Sequence, residues 1–235
     1  MRKRCIGKCC SVIKEENKML FQNGERVVFT GDSVTDFDRK RPVGEGLWEG
    51  VGTGYVRLIH TMINAMYPEE VIRISNTGVG GNNILDLQAR WQQDVLDLKP
   101  DWVSMMIGIN DVWRRFDEPD IFEGHVTTRQ YESAYRDIIE RTLPKVKGMI
   151  VMTPYFMEPN REDPMRKAMD EMGAIVKKLS EEYHLPCVDT QQVFDEYFKY
   201  RHPDYIAWDR VHPNQVGAML LARAFLNTVG FEWKV

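Results

Sequence analysis

The sequence predicts an α/β fold in which helices cover both faces of a parallel β-sheet. Three observations indicate this. Short apolar, β-rich runs alternate with segments of helical periodicity along the 235 residues. The alternation repeats five times, and no repeat, low-complexity tract or linker interrupts it. Strands that alternate with helices are typical of a parallel sheet, because each crossover places a helix on one of its faces.

Five segments are predicted to be strands. Each is short, largely apolar and bounded by turn-forming or polar residues. In chain order they are residues 26–32 (RVVFTGD), 71–76 (VIRISN), 101–110 (DWVSMMIGIN), 148–155 (GMIVMTPY) and 185–190 (LPCVDT).

Five further segments are predicted to be helices, because their apolar residues recur at steps of three and four and share one face. They are residues 55–67, about 84–98, 130–143, about 164–184, and a last helix that starts near Pro213. A stripe of methionines on the fourth helix is typical of core packing, since methionine fills irregular gaps. The last helix is apolar almost all round, which predicts that it is buried.

Composition and charge limit the possible classes of protein. Hydrophobic residues make up 43% and charged residues 28% of the chain, as in proteins with a full core. The formal net charge of the chain is −4. Residues 1–18 hold six basic and two acidic residues and carry +4, so the remaining residues carry −8. That acidic balance argues against a nucleic-acid groove. No apolar run in the sequence approaches the length of ~18 residues that a membrane helix needs. The basic N-terminal segment also lacks the apolar core of a signal peptide.

The N-terminal segment is predicted to be a basic extension, residues 1–18, ahead of a single domain over residues 19–235. An upstream choice of start codon, with Met19 as the true beginning, is the alternative. The four cysteines are Cys5, Cys9, Cys10 and Cys187. Three of them crowd the extension and one lies far away, which does not fit a disulfide framework, and reduced thiols in a cytoplasmic protein are the simpler interpretation. Because a tetrahedral zinc site would lack a fourth ligand nearby, no metal is predicted.

Chemistry is expected at the carboxyl ends of the strands, where ligands bind in open parallel sheets. Strand one ends in a serine, strand two in a glycine-rich turn and strand three in an asparagine. An Asp-x-x-His pair follows strand five. These segments are GDS (31–33), NTGVGGNN (76–83), GIND (108–111) and AWDRVHPN (207–214). Together they contain the groups required for nucleophilic acyl transfer.

Ser33 is the predicted nucleophile. A serine in this place could simply form a turn, because its hydroxyl readily bonds nearby backbone groups. However, the other five serines of the chain fall in the extension, within predicted strands or in predicted helices. Only Ser33 follows a small-residue turn at the carboxyl end of a strand, and the three other motifs favour the catalytic interpretation.

His212 is the predicted general base, and Asp209 is its predicted partner. His202 and His212 both precede a proline, but only His212 has an aspartate three positions upstream. A carboxylate bonded to one ring nitrogen fixes the tautomer and leaves the other nitrogen free to take the serine proton. His202 is interpreted as a surface residue or a helix cap.

The oxyanion hole is predicted to consist of the Ser33 N–H, the Gly81 N–H and the Asn110 side-chain amide. A tetrahedral intermediate needs donors placed in advance, and a glycine N–H can approach closely because no side chain intervenes. Asn110 could instead cap the following segment, and the glycines could merely form a tight turn. Phosphate binding is disfavoured, since the GxGxxG spacing and a P-loop lysine are missing.

At these residues the chain resembles the SGNH (GDSL) hydrolase superfamily, which is named for Ser, Gly, Asn and His in four blocks. The blocks occur here in family order as GDSVTD with Ser33, NTGVGGN with Gly81, GIND with Asn110 and DRVHP with Asp209 and His212. Longer stretches, among them RPVGEGLWEGVGTGYV and AWDRVHP, are similar to the branch that contains microbial acetylxylan esterases.

The resemblance implies a three-layer α/β/α sandwich with a five-stranded parallel sheet of flavodoxin-like order 2-1-3-4-5. It also implies an intracellular homo-oligomer that acts as a serine esterase without cofactor or metal. Its expected substrate is carbohydrate O-acetyl, chiefly on xylo-oligosaccharides, which it cleaves through an acyl-enzyme. The alternatives are a thioesterase or lysophospholipase of the same superfamily, and a non-catalytic carbohydrate-binding protein on this fold.

Four aromatic residues are predicted to contact a sugar, because flat rings stack on sugar rings and would also shorten an acyl channel. They are Trp48, Trp113, Tyr205 and Trp208. Contacts in the core or between subunits are the alternative for Tyr205 and Trp208. Basic residues in loops 36–54 and 111–129 favour a polar substrate over a long acyl chain; they are Arg39, Lys40, Arg41, Arg114 and Arg115.

Overall fold

The computed structural model describes residues 19–46 and 48–233. The predicted extension, with Cys5, Cys9 and Cys10, therefore lies outside the described residues. Within the described residues the buried apolar side chains form one core cluster. None of the helices in this part of the chain is both long enough and apolar enough to cross a membrane.

The described residues form a mostly parallel sheet with the strand order β2-β3-β1-β4-β5-β6. Only β2, at the edge beside β3, runs antiparallel to its neighbour. The strands are β1 Arg26–Gly31, β2 Gly44–Glu45, β3 Arg73–Asn76, β4 Trp102–Met106, β5 Gly148–Met152 and β6 Cys187–Val188.

The five predicted strands are all present, and they lie in the order 2-1-3-4-5 that the family resemblance implies. The strand count of five is corrected to six by the edge strand β2, which is too short to show a periodic pattern. Its Glu45 carboxylate accepts hydrogen bonds from Arg73 and Ser75 of the adjacent β3 and from Arg26 of β1, the strand beyond it. These bonds tie the loop that follows the first strand to the sheet.

Eight α-helices in the described residues lie between the strands or after the last one. They are α1 Ser33–Asp36, α2 Tyr55–Met66, α3 Ile84–Asp94, α4 Ile109–Asp117, α5 Thr128–Thr142, α6 Pro164–Glu182, α7 Thr190–Phe198 and α8 Gln215–Thr228. α2 packs on α8 and α8 on α7, whereas α3 packs on α5 and α5 on α6. These two groups are the outer layers of an α/β/α sandwich, as predicted.

Three helices are missing from the sequence-based prediction: α1, α4 and α7. The predicted strand 101–110 is too long, since pairing with β1 and β5 stops at Met106 and α4 begins at Ile109. Gly108 makes this bend with a φ of 138°. Likewise, the predicted strand 185–190 shortens to two residues, because Asp189 caps the helix that begins at Thr190.

The core has the composition that the helical stripes predict. Met165, Met169 and Met172 of α6 are buried, so the methionine stripe is core packing. From the other layer, Phe225 of α8 contacts Phe29 of β1 with ring centroids 5.0 Å apart. This packing holds the carboxyl ends of the central strands β1, β3 and β4 side by side, where the polar motifs lie.

Candidate active site

Ser33 lies just beyond the end of the central strand β1 and is the first residue of α1. Asp32 caps this helix, and its Oδ1 accepts the Val34 N–H at 3.0 Å. As the first residue of the helix, Ser33 has a backbone N–H without a partner inside the helix. A Cβ on the preceding Gly31 would lie 2.1 Å from the Met106 carbonyl oxygen, so only glycine permits this tight turn against β4.

The structure brings Ser33, His212 and Asp209 into one hydrogen-bonded chain. Ser33 Oγ lies 2.7 Å from His212 Nε2, and His212 Nδ1 lies 2.6 Å from Asp209 Oδ2. With Nδ1 protonated and bonded to the carboxylate, Nε2 is left to accept the serine proton. The arrangement provides an activated hydroxyl for nucleophilic attack.

Asp209 is held in place by backbone groups as well as by the imidazole. Its Oδ1 accepts the N–H groups of Val211 at 3.0 Å and His212 at 2.9 Å. Burial alone would raise the pKa of Asp209, but the hydrogen bonds from His212 and from these two backbone amides outweigh it and lower that pKa below its ordinary value. The carboxylate is therefore charged at neutral pH and can stabilise a protonated imidazole.

The glycine-rich turn passes directly beside the serine. A Cβ built on Gly80 would lie 3.8 Å from Ser33 Cβ. Gly81 follows with a φ of 82°, and a Cβ there would meet no heavy atom within 4 Å, so space for a ligand adjoins it. Asn110 is buried in the first turn of α4, and its Nδ2 donates to the Asn82 carbonyl at 2.9 Å. The structure thus connects Asn110 to the turn that carries Gly81, and this turn lies beside Ser33.

Two side chains that sequence reasoning missed hold this turn. Arg90 of α3 donates to Asn82 Oδ1 at 2.6 Å and to the Gly31 carbonyl at 3.0 Å, so it connects the turn to the end of β1. Asp111 accepts the N–H of Ile84 at 3.1 Å, which connects α4 to the start of α3. Its place in GIND, next to Asn110, was the one sequence signal available for Asp111.

A cleft of about 280 Å³ opens beside the nucleophile. Its lining among the described residues comprises Ser33, Asp36, Phe37, Asp38 and His212. Asp36, the last residue of GDSVTD, and the two residues that follow it therefore shape the site, although the prediction from sequence gave none of the three a role. The His212 ring lies between two aromatic rings, with centroids 6.4 Å from Phe37 and 6.1 Å from Trp113.

Of the four predicted sugar-contacting aromatics, the structure places Trp113 at the site, half-buried against His212. The other three are strongly exposed: Trp48, Tyr205 and Trp208. Arg39, which the sequence analysis grouped with polar substrate contacts, is buried and donates to the Gly78 carbonyl at 2.7 Å. It supports the glycine-rich turn instead.

A larger cavity of about 610 Å³ lies along α6 and α7, away from the serine. Arg166 is buried in its wall, where its guanidinium bonds both oxygens of Asp195 at 3.0 and 2.8 Å. None of the predicted site residues lines it. Among residues 19–46 and 48–233, clusters of three or more His, Cys, Asp or Glu side chains suited to a metal ion are missing.

Comparison with known proteins agrees with this architecture. Residues 29–220 match the GDSL-like lipase/acylhydrolase family. An acetylxylan esterase from Geobacillus stearothermophilus is 51% identical over 215 residues, which cover 92% of this chain and 98% of that protein. Its crystal structure matches with a TM-score of 0.90 at 51% identity, over 92% of this chain and 98% of that one.

Further structures extend the comparison. Three catalytic mutants of the Geobacillus enzyme, in which a serine, a histidine or an aspartate is replaced by alanine, match at 50% identity with TM-scores of 0.90 or 0.91. An α/β hydrolase enzyme from the metagenome of Lake Arreo, Spain, is 47% identical with a TM-score of 0.89, over 91% of this chain and 99% of that one. The chain therefore belongs to the GDSL-like lipase/acylhydrolase family and is a carboxylic ester hydrolase of the acetylxylan esterase-like type.

Proposed function

We propose that the protein is a serine esterase that removes O-acetyl groups from carbohydrate, chiefly from xylo-oligosaccharides, through an acyl-enzyme. The observation that carries this proposal is the hydrogen-bonded chain from Asp209 through His212 to Ser33, which ends at an open cleft. This geometry supports the proposed chemistry, and the choice of sugar draws on the relative, which is also called an acetyl-xylooligosaccharide esterase.

In the first half-reaction, Ser33 Oγ attacks the acetyl carbonyl carbon while His212 Nε2 takes the hydroxyl proton. The carbonyl electrons move to oxygen, and the N–H groups of Ser33 and Gly81 with the Asn110 amide stabilise the resulting oxyanion. When the tetrahedral intermediate collapses, the bond to the sugar oxygen breaks and His212 protonates that oxygen. Asp209 stabilises the imidazolium between these two steps.

In the second half-reaction, water replaces the sugar. His212 takes a proton from the water as its oxygen attacks the acetyl group on Ser33. The second tetrahedral intermediate collapses with return of the proton to Ser33 Oγ, and acetate leaves. Every proton transfer uses His212 and every developing oxyanion uses the same donors, so the side chains and backbone amides of this chain supply the chemistry.

The direct test is Ser33→Ala, measured as hydrolysis of p-nitrophenyl acetate and as acetate release from acetylated xylo-oligosaccharides. We expect a folded variant with almost no activity, because the loss of one triad member leaves only residual catalysis by the oxyanion hole and binding. A phosphonate ester should label the wild-type protein at Ser33 and should not label the variant. Substantial turnover by folded Ser33→Ala protein would disprove the acyl-enzyme mechanism.

Acyl-chain length separates the deacetylase from a thioesterase or lysophospholipase. We expect kcat/KM for p-nitrophenyl esters to fall steeply from two to eight acyl carbons, with acetate released from the acetylated sugars. An apolar acyl channel would instead gain about 0.8 kcal/mol for each buried methylene. A rising trend with chain length would therefore favour the lipid or thioester hydrolase.

The proposal also includes homo-oligomerisation in the cytoplasm. Support for an oligomer comes from large aromatic side chains on the surface, with Trp208 88% and Trp48 85% exposed. Support for the cytoplasm comes from Cys187, which is free. Light scattering after size-exclusion chromatography tests the first point, and cell fractionation tests the second. A monomer at micromolar concentration or a secreted product would contradict them.

A further inference from the structure

Asp36 links the nucleophile to the oxyanion turn. It ends the helix α1 that Ser33 begins, is buried, and lines the catalytic cleft with Ser33 and His212. Its Oδ2 accepts the backbone N–H of Gly80 at 3.1 Å. The next residue along the chain is Gly81, whose N–H is a proposed oxyanion donor. One carboxylate thus connects the helix of the nucleophile with the amide immediately before that donor.

Arg41 fixes the orientation of this carboxylate. Its two terminal nitrogens donate to the two oxygens of Asp36, Nη1 to Oδ1 at 3.0 Å and Nη2 to Oδ2 at 2.6 Å. Such bidentate pairs define the plane of the carboxylate as well as its position. The Asp36 side chain is only 12% exposed, so solvent competes little for its oxygens. Neither residue takes part in the proposed proton transfers.

The start of the same turn is fixed separately. Gly78 lies so close to α1 that a Cβ on it would stand 2.5 Å from the Asp36 backbone nitrogen. Its carbonyl accepts from Arg39 at 2.7 Å, and its N–H donates to Asn76 Oδ1 at 2.9 Å. The chain then continues through two consecutive glycines, which have more rotational freedom than any other residue pair. The bond to Asp36 restrains the first of them.

We propose that Asp36, oriented by Arg41, is a positioning residue that sets the direction of the Gly81 N–H for the oxyanion. Preorganisation makes such donors effective, because a donor that must be ordered during the reaction loses part of its benefit. Without the Asp36–Gly80 bond, the Gly80-Gly81 segment can rotate, and the Gly81 N–H points toward the oxyanion for a smaller fraction of the time. The inference rests on the proposed esterase mechanism and adds the group that holds one of its donors.

The test compares Asp36→Ala, Asp36→Asn and Arg41→Ala with wild type on p-nitrophenyl acetate, a substrate without a sugar. For Asp36→Ala we expect kcat to fall about 10- to 100-fold, less than the 10²- to 10³-fold typical of removing a donor outright. KM should change less than about threefold. Asp36→Asn keeps an oxygen that can accept the Gly80 N–H, so it should retain more activity than Asp36→Ala. Arg41→Ala also leaves an acceptor for this N–H, so it should resemble Asp36→Asn.

A second readout separates positioning from general destabilisation. Methylboronic acid forms a tetrahedral adduct with the serine that places an oxygen in the oxyanion hole, so its affinity should fall in parallel with kcat. The matched control is Asp137→Asn, which removes a carboxylate paired with Arg141 on α5, a helix that contributes no residue to the site. This control should keep wild-type kcat and boronate affinity.

Three outcomes would overturn the inference. These are unchanged kcat and boronate affinity in folded Asp36→Ala protein, an effect on KM alone, and a shifted pH–rate profile without loss at the plateau. The last would indicate that the charge of Asp36 acts on His212. If Asp36→Ala fails to fold, Asp36→Asn and Arg41→Ala decide by the same measurements. Failure of the mechanism itself would appear separately, as activity in Ser33→Ala.

Discussion

His212 and His202 each precede a proline, and their surroundings separate them. His212 is bonded to Ser33 on one side of its ring and to Asp209 on the other. His202 is exposed at the start of a single 3₁₀ turn, where its Nδ1 accepts the Asp204 N–H at 3.3 Å. It is therefore a cap, as one of the sequence-based alternatives stated.

His212→Ala should abolish activity nearly as completely as Ser33→Ala, because no other group in the chain described here reaches Ser33 Oγ to take its proton. His202→Ala is the matched control and should keep most of the activity, since it loses only a weak cap. Steady-state kinetics on p-nitrophenyl acetate, with circular dichroism to check folding, measures both. Equal losses in the two variants would contradict the assignment of His212 as the base.

Asn110→Ala should lower kcat by about 10²- to 10³-fold and change KM little, because the oxyanion that its amide is proposed to stabilise forms only on the way through the transition state. The bond from Nδ2 to the Asn82 carbonyl settles which end of the amide faces the turn, since only nitrogen can donate. Separate kcat and KM values test this. An increase in KM alone would make Asn110 a residue that binds the ground state.

At the scale of elements, the site depends on how closely the glycine-rich turn approaches α1. This approach requires glycine at position 78, where a Cβ would lie within 2.9 Å of the backbone of both Thr35 and Asp36. Backbone atoms cannot move aside as the end of a flexible side chain can. The close contact of turn and helix therefore places the predicted oxyanion donors next to the nucleophile.

Gly78→Ala should destabilise the protein by about 1–3 kcal/mol, the usual range for overpacking, and should lower activity by moving the turn away from Ser33. Gly124→Ala is the control, because a Cβ there would meet no atom within 4 Å. That change should be neutral or slightly stabilising, since alanine restricts the unfolded chain. Urea unfolding of both variants measures the difference, and equal stability would contradict the steric argument.

At the scale of the whole molecule, two carboxyl groups are buried beneath the site. Burial raises the pKa of Asp32 and of Asp111 from 3.8 to about 7 in each case. The folded protein therefore binds protons that the unfolded chain releases between these values. The contribution of these two carboxyl groups to the free energy of unfolding is therefore complete below about pH 4 and is lost as pH rises through 7. His60 acts in the opposite direction, because burial lowers its pKa.

The free energy of unfolding should consequently decrease between about pH 4 and 7, by at most about 1.4 kcal/mol per pH unit for each carboxyl group. Asp111→Asn keeps an oxygen to accept the Ile84 N–H and removes one titrating group, so this pH slope should become shallower. Urea unfolding at several pH values measures both slopes. The same slope in the variant and the wild type would show that Asp111 does not titrate in this range.

The sequence by itself determined the parallel sheet, the order of its motifs and the choice of Ser33 and His212. Each of these depends on a local pattern or on one general rule. Apolar periodicity separates strands from helices, and the carboxyl ends of parallel strands share one edge. Residues that follow different strands therefore meet, even though Ser33 and His212 lie 179 positions apart.

The tertiary structure alone decided the parts that depend on contacts without a periodic signal. The edge strand β2 forms because two residues pair with β3. Helix α4 begins before the end of the predicted strand 101–110 because Gly108 bends the chain. The bond between Asp36 at the end of α1 and Gly80 in the glycine-rich turn joins residues 44 positions apart. The sequence around such a carboxylate does not indicate its partner, since the chain must fold before the geometry of a hydrogen bond exists.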